Sequence, residues 1–446
     1  MTSKGHGLII AAPASGSGKT VVTLGLLRHF SRSGMEVVSA KVGPDYIDPA
    51  FHAAASGRPC RNLDTWGMRP ATIHHAVDAL AAEAEKVLCE GVMGLFDGAR
   101  GTSGLNDGST ASLSRRTGWP VVLVVDASAQ AASAAAVVGG FAGHDPAVSI
   151  AGVIFNRVGS DAHGGILREA CGQSLPDIPV LGCLPRADGL VLPERHLGLV
   201  QALEHRDLPG FLERAADWVA AHLDLDRLAA LFSPMAGTGT PAEMAPLPVL
   251  GQRTAVARDA AFAFAYPHVL DGWRREGVEL SFFSPLADEG PEETMDAIYL
   301  PGGYPELHAG ALADAGRFRQ AMDAARARGA AVFGECGGYM VLGERLTDGE
   351  GRDHAMLGFL PLRTSFAEPR LHLGYRQVSL IGDGILGAAG TAFRGHEFHY
   401  ASVRDEGAAG PLFAAANAAH EDMGYLGLTE ARVAGSFVHL IDHCGP

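Results

Sequence analysis

Two stretches of this chain combine residue types and spacings that can do covalent chemistry. The first is Ala12-Pro13-Ala14-Ser15-Gly16-Ser17-Gly18-Lys19-Thr20. An apolar run, Leu8 to Ala11, precedes it, and Val21 to Leu27 follows with helical periodicity. A strand, a small-residue loop and a helix opening on Gly-Lys-Thr form a phosphate cradle, because unpaired N–H groups and the helix dipole favour an anion there. Ser15, Gly16, Ser17 and Gly18 would wrap the phosphates. Lys19 would reach the outer ones, and the Thr20 hydroxyl would help to hold Mg²⁺. Pro13 stands where the usual pattern has Gly, five residues before Gly18. The only lysines are Lys4, Lys19, Lys41 and Lys86, so one in this loop is not a by-product of abundance.

Carboxylates follow at the ends of later apolar runs. Lys41-Val42-Gly43-Pro44-Asp45-Tyr46-Ile47-Asp48-Pro49 sets two acids after a Gly-Pro turn. Glu90 lies in Cys89-Glu90-Gly91, and Asp97 in Leu95-Phe96-Asp97-Gly98. A carboxylate beside a Thr hydroxyl and phosphate oxygens is the oxygen-rich setting that Mg²⁺ requires. Each acid alone also reads as a turn former or a solvated loop residue. Asn156 ends another apolar run, Val153 to Phe155, where its amide reads either as an adenine-edge contact or as a turn residue.

The second stretch is Ala331-Val332-Phe333-Gly334-Glu335-Cys336-Gly337-Gly338-Tyr339-Met340. A strand stopping at Cys336, two glycines and a short helix have the pattern of a nucleophile elbow, and the helix dipole is expected to lower the thiol pKa. The alternative is a buried structural cysteine. Pro301-Gly302-Gly303-Tyr304-Pro305-Glu306 caps the preceding strand, and its glycine N–H groups, with that of Gly337, suit an oxyanion hole. A thiol nucleophile needs a base. Gly435-Ser436-Phe437-Val438-His439-Leu440-Ile441-Asp442-His443 offers His439 at the end of the last strand, with His443 as its competitor. Gly395-His396-Glu397-Phe398-His399-Tyr400 is expected to line a cleft or to form a structural loop.

These residues must be carried by alternating strands and helices. Leu8–Ala11, Val37–Val42, Val87–Val92, Val121–Val125, Val153–Phe155 and Val180–Leu184 read as buried parallel strands. Ser128–Val138 and Leu208–Leu231 read as helices. Together they predict a doubly wound, mostly parallel α/β domain over residues 1–232, with sites at the C-terminal strand ends. Residues 233–252, with four prolines, read as a linker. Thr254–Ala257, Glu279–Phe283, Ala297–Leu300 and Ala330–Gly334 then predict strands, and Asp314–Arg328 a helix, in a second α/β domain over 253–446. After about Met356 the pieces are shorter and more β-like.

Composition narrows the function. The chain has 446 residues, 47% of them hydrophobic, which excludes a mostly disordered chain. No apolar run nears the roughly 20 residues that cross a bilayer, and Met1 to Gly7 lacks the features of a signal peptide, so a cytoplasmic location is expected with no membrane partner. The net charge of −15 argues against a nucleic-acid partner. The six cysteines have no metal-type spacing.

The chain resembles the cobyrinic or hydrogenobyrinic acid a,c-diamide synthase family of cobalamin biosynthesis. Ser15–Thr20, Lys41–Pro49, Glu90–Gly98, Pro301–Glu306, Gly334–Tyr339, Gly395–Tyr400 and Gly435–His439 occur in the family's order. The resemblance implies a dethiobiotin-synthetase-like ATP domain, then a Triad-type class I glutamine amidotransferase domain. It also implies ATP and Mg²⁺ as cofactors, L-glutamine and hydrogenobyrinic (or cobyrinic) acid as partners, and a homodimer. Cys336 and His439 would be catalytic, and the N–H groups of Gly303 and Gly337 would hold the oxyanion. Thr20, Asp45 and Glu90 would bind the metal, and Lys41, Asp48 and Asp97 would position substrate or intermediate. Class I amidotransferases usually carry Glu two residues after the catalytic His, and here that place is Ile441. The alternatives are a cobyric acid synthase acting on other corrin side chains, or a ParA-like ATPase switch with a non-catalytic second domain.

Overall fold

The structure is a computed structural model that describes residues 5–102, 104–195, 198–234 and 245–444. It divides into two compact units, Met1–Trp66 with Pro70–Pro241, and Gly67–Arg69 with Ala242–Pro446.

The first unit is built on β1 (His6–Ala11), β2 (Val37–Val42), β3 (Cys60–Leu63), β4 (Lys86–Glu90), β5 (Val121–Asp126), β6 (Ile150–Val158) and β7 (Val180–Pro185). They are parallel and run in the order β3-β2-β4-β1-β5-β6-β7. Leu8, Ile9 and Ile10 are fully buried, as expected for a central strand covered on both faces. Because every strand points the same way, the ends of β1, β2 and β4 open at one edge of the sheet. Helices α1 (Lys19–Arg32) and α2 (Asp48–Ser56) begin just beyond β1 and β2.

Three boundaries differ from expectation, each for a local reason. The helix expected over Ser128–Val138 forms at Ala134–His144, because the Asp126 carboxylate accepts the Ser128 N–H and holds a turn. Leu208–Leu231 divides into Leu208–His222 and Leu225–Ala229. Leu223 is extended and bridges Gly182, and Asp224 caps the second helix by accepting the Arg227 N–H. Ser233–Pro234 pairs antiparallel with β1, residues 235–244 of the expected linker lie outside the described residues, and Ala245, Leu247 and Leu250 are buried.

The second unit holds a ten-stranded mixed sheet. Its strands are β8 (Arg253–Ala257), β9 (Glu279–Phe283), β10 (Ala297–Leu300), β11 (Ala331–Glu335), β12 (His372–Leu380), β13 (Ala392–His399), β14 (Gly410–Asn417), β15 (Asp422–Glu430), β16 (Val433–Ser436) and β17 (Val438–His443). The order is β9-β8-β10-β11-β16-β15-β14-β12-β13-β17. Pairings from β9 to β16 are parallel, and the rest are antiparallel. The expected Asp314–Arg328 helix forms as Gly316–Ala327, and a separate short helix, Ala309–Asp314, precedes it across Ala315. His439 is the second residue of β17 rather than at its end, because the chain breaks at Phe437 and a new strand begins.

Candidate active sites

In the first unit the phosphate loop turns through Gly16 (φ 77°) and Gly18 (φ 92°), both in the left-handed region that suits glycine. The Ser17 hydroxyl donates to the Ala14 carbonyl at 2.8 Å. Lys19 opens α1, and its Nζ donates to the Met93 carbonyl at 2.6 Å. Met93 has φ 46° and is 58% exposed, an unusual backbone state for a large side chain and one typical of functional loops. Burial lowers the Lys19 pKa, with Glu90 opposing.

Glu90, at the end of β4, is the hub of this cluster and is fully buried. Its Oε1 accepts from the Thr20 hydroxyl at 2.7 Å and from Lys41 Nζ at 3.0 Å. Its Oε2 lies 2.6 Å from His52 Nε2. Burial pushes the Glu90 pKa up, but Lys41, His52 and Thr20 outweigh it and hold the carboxylate ionised, below its ordinary range. Lys41 also reaches Asp48 Oδ2 at 2.6 Å. Burial and Asp45 push Asp48 up to about 7, against the pull of Lys41. Burial opposes a charged His52, yet Cys60 and Glu90 raise it to about 10. His52 escapes the sequence reading, and its spacing from Asp48 is the one trace of it there. It lies four residues after Asp48 in α2, so both side chains share one helix face.

The adjacent oxygens of Thr20 and ionised Glu90 fit a divalent cation. Asp45 Oδ1 accepts the N–H groups of Ile47 (2.8 Å) and Asp48 (3.0 Å), and so fixes the entry to α2, while its charge acts on Lys41 and Asp48 of the same cluster. Asp97 Oδ2 accepts the Gly94 N–H at 2.8 Å and shapes the loop after β4. Asn156 Nδ2 donates to the Ser17 carbonyl at 2.9 Å, and its Oδ1 accepts the Arg157 N–H at 2.8 Å. The amide thus braces the phosphate loop from the end of β6.

In the second unit Cys336 joins β11 to the helix Gly337–Leu342 with φ 48° and ψ −104°, strained for a residue with a Cβ. The expected fall in thiol pKa is not found. Cys336 is 1% exposed, and burial together with Glu306 pushes the thiol well up, against the Gly337 N–H. A six-residue helix does not overcome that desolvation.

His439 is fully buried, and burial, followed by His396 and His399, lowers it to about 3, so the ring is neutral. A Cβ on Gly302 would lie 2.3 Å from His439 Cε1, 3.1 Å from its Nε2 and 3.3 Å from Cys336 Cβ. The imidazole and the thiol side chain therefore close on the same glycine. A Cβ on Gly337 would lie 2.9 Å from Gly303 N, so the two expected oxyanion donors are neighbours. Glu397 and His399 line a cavity of about 360 Å³, with His372 and Arg370, while the Phe398 carbonyl between them lies 4.0 Å from Cys336 Sγ. His443 packs against Phe393 instead.

Comparisons with known proteins agree with this division. Residues 8–200 match the CobQ/CobB/MinD/ParA nucleotide binding domain family, and residues 253–443 match the CobB/CobQ-like glutamine amidotransferase domain family. The hydrogenobyrinate a,c-diamide synthase of Brucella anthropi is 54% identical over 441 residues, which is 98% of this chain and 99% of that protein. The protein of that name from Rhizobium meliloti is 53% identical over 437 residues (98% and 99%), and that from Rhodobacter capsulatus 50% over 444 residues (99% and 100%).

Proposed function

We propose, since this chain belongs to the hydrogenobyrinate a,c-diamide synthase family, that it amidates the a and c side-chain carboxylates of hydrogenobyrinate with nitrogen from glutamine, at the expense of ATP. The observation that carries this reading is the strained Cys336 elbow sharing Gly302 with His439, in the same polypeptide as a phosphate loop closed by Lys19 and Thr20.

In the second unit the Cys336 thiol passes its proton to neutral His439 as sulfur attacks the glutamine amide carbon. The N–H groups of Gly303 and Gly337 take the developing oxyanion. His439 returns the proton to the departing ammonia, and water then hydrolyses the glutamyl thioester to glutamate. Cys336 lies sealed in the core, so its cover must move before glutamine can enter.

In the first unit a corrin carboxylate attacks the γ-phosphorus of ATP, giving an acyl phosphate and ADP, and ammonia then displaces phosphate. The carboxylate becomes an electrophile only through this step. Lys19 and the loop N–H groups hold the transferred charge. Thr20 and Glu90 would hold Mg²⁺, which neutralises phosphate charge when bound. Lys41, Asp48 and Asp97 border the same strand ends and position the substrate carboxylate. The same reading includes a homodimer, which light scattering on the purified protein tests.

Incubation with hydrogenobyrinic acid, ATP and glutamine, followed by mass spectrometry, tests the assignment. Two carboxyl-to-carboxamide conversions on the free acid are expected, faster than on cobyrinic acid. Conversion of a preformed a,c-diamide and none of the free acid would assign the chain to cobyric acid synthesis instead.

A further inference from the structure

The class I amidotransferases that this chain resembles place an acid two residues after the catalytic histidine, where strand alternation sets it on the same face as the imidazole. Here that place holds Ile441, a hydrocarbon side chain 1% exposed, at a register shift of β17 that interrupts the alternation. The structure holds another carboxylate against the ring. Glu335 is the last residue of β11, immediately before Cys336, and is 1% exposed. Its Oε2 lies 4.0 Å from His439 Nδ1. The same oxygen accepts the Tyr299 hydroxyl at 2.6 Å, and Oε1 accepts the backbone N–H of Leu440, next to His439, at 3.0 Å. One carboxylate therefore fixes the main chain beside the histidine and faces Nδ1, whereas Cε1 and Nε2 are the ring atoms that face Gly302.

An acid buried this deeply costs free energy unless it has partners. Two neutral donors leave Glu335 pushed up to about 7, so it is poised to gain a cationic partner. A cation forms beside it at one step only, when the proton leaves the Cys336 thiol for His439 Nε2.

We propose that Glu335 is the positioning acid of the glutamine-hydrolysing centre: it keeps the proton of neutral His439 on Nδ1, turns Nε2 toward Cys336, and pairs with the imidazolium. The cycle balances. The S–H bond breaks as the Nε2–H bond forms, and the Nε2–H bond breaks as ammonia leaves with that proton. Glu335 neither gains nor loses one. The 4.0 Å gap shortens to a hydrogen bond when the ring is charged, as such contacts do on passing from the free enzyme to the reacting complex.

This inference rests on the proposed glutaminase role of Cys336, and the test separates the two. Glutamine hydrolysis is followed in the full chain by glutamate release. The variant Glu335→Gln removes the charge; its one carbonyl oxygen still accepts the Leu440 N–H, and its NH2 group faces the Tyr299 hydroxyl oxygen, which can accept from it. Its kcat is expected to fall by about 10²- to 10⁴-fold, with KM for glutamine within about twofold of wild type. Tyr299→Phe removes a donor but leaves the charge, and is expected to cost less than about tenfold. A Glu335→Gln variant with kcat within about twofold of wild type overturns the proposal, because the negative charge beside His439 is then not needed. If Cys336→Ala itself still hydrolyses glutamine, it is the underlying assignment of Cys336 that fails. Should Glu335→Gln not fold, the wild-type chain decides. Histidine ¹⁵N NMR, assigned with His439→Gln, is expected to place the proton of neutral His439 on Nδ1, and a proton on Nε2 overturns the proposal.

Discussion

The Thr20 hydroxyl donates to Glu90 Oε1 across 2.7 Å, tying the first turn of α1 to the end of β4. Glu90 also carries two buried cations, Lys41 and His52. Neutralising it takes the carboxylate from buried His52 and leaves Lys41 with Asp48 alone. Glu90→Gln is therefore expected to lower stability by about 3–5 kcal/mol and to abolish ATP-dependent amidation. Denaturant melts and product formation check this; a variant as stable as wild type would mean that the cluster is not charged as described.

The two half-reactions are expected to separate by mutation. Cys336→Ala abolishes glutamine use and leaves amidation driven by free ammonia. Lys19→Ala is the mirror case: glutamine hydrolysis persists, and amidation falls by about 10²-fold or more from either nitrogen source. Parallel assays with glutamine and with ammonium salts read both outcomes. Undiminished glutamine-dependent turnover in Cys336→Ala would remove the thiol from the mechanism.

Gly302 makes room for the imidazole. A methyl group there would stand 2.3 Å from His439 Cε1, far inside contact distance, so the ring must move. Gly302→Ala is expected to cut glutamine hydrolysis by about 10²-fold while the chain still folds. Steady-state glutamate release measures it, and a wild-type rate would show that the ring need not sit where it does.

Glu335 makes stability depend on pH. Burial raises its carboxyl from the ordinary 4.5 to about 7. A folded value above the unfolded one favours the folded state fully below the unfolded value, and that advantage is lost as pH rises through the folded value. Wild type should therefore lose ground to Glu335→Gln between about pH 5 and pH 8, by up to about 3 kcal/mol. Melts of both proteins at the two pH values test this, and an unchanging gap would contradict the raised value.

The sheets are the most legible part of the sequence. Val37–Val42 and Ala297–Leu300 are strands to the residue, because a strand buried on both faces is an apolar run cut off by turn residues, and the half-exposed edge strand Glu279–Phe283 matches as well. Helix boundaries are less legible where tertiary contacts overrule composition. Alanines around 128–133 favour a helix, but one carboxylate, Asp126, captures the chain first. The phosphate loop and the elbow are legible because their backbone geometry demands particular residues. His52 and Glu335 are not, since each matters only through partners that the fold brings from far along the chain, Glu90 and His439. The thiol pKa misleads for the same reason: a local dipole is visible in the sequence, and the depth of burial is not.

That depth has a consequence for the enzyme's lifetime. A sulfur kept protonated and out of reach of solvent is a poor target for peroxide, which attacks exposed thiolates. Between turnovers the nucleophile is in effect stored in a form that does not rust, and it becomes vulnerable only while a donor molecule is seated against it.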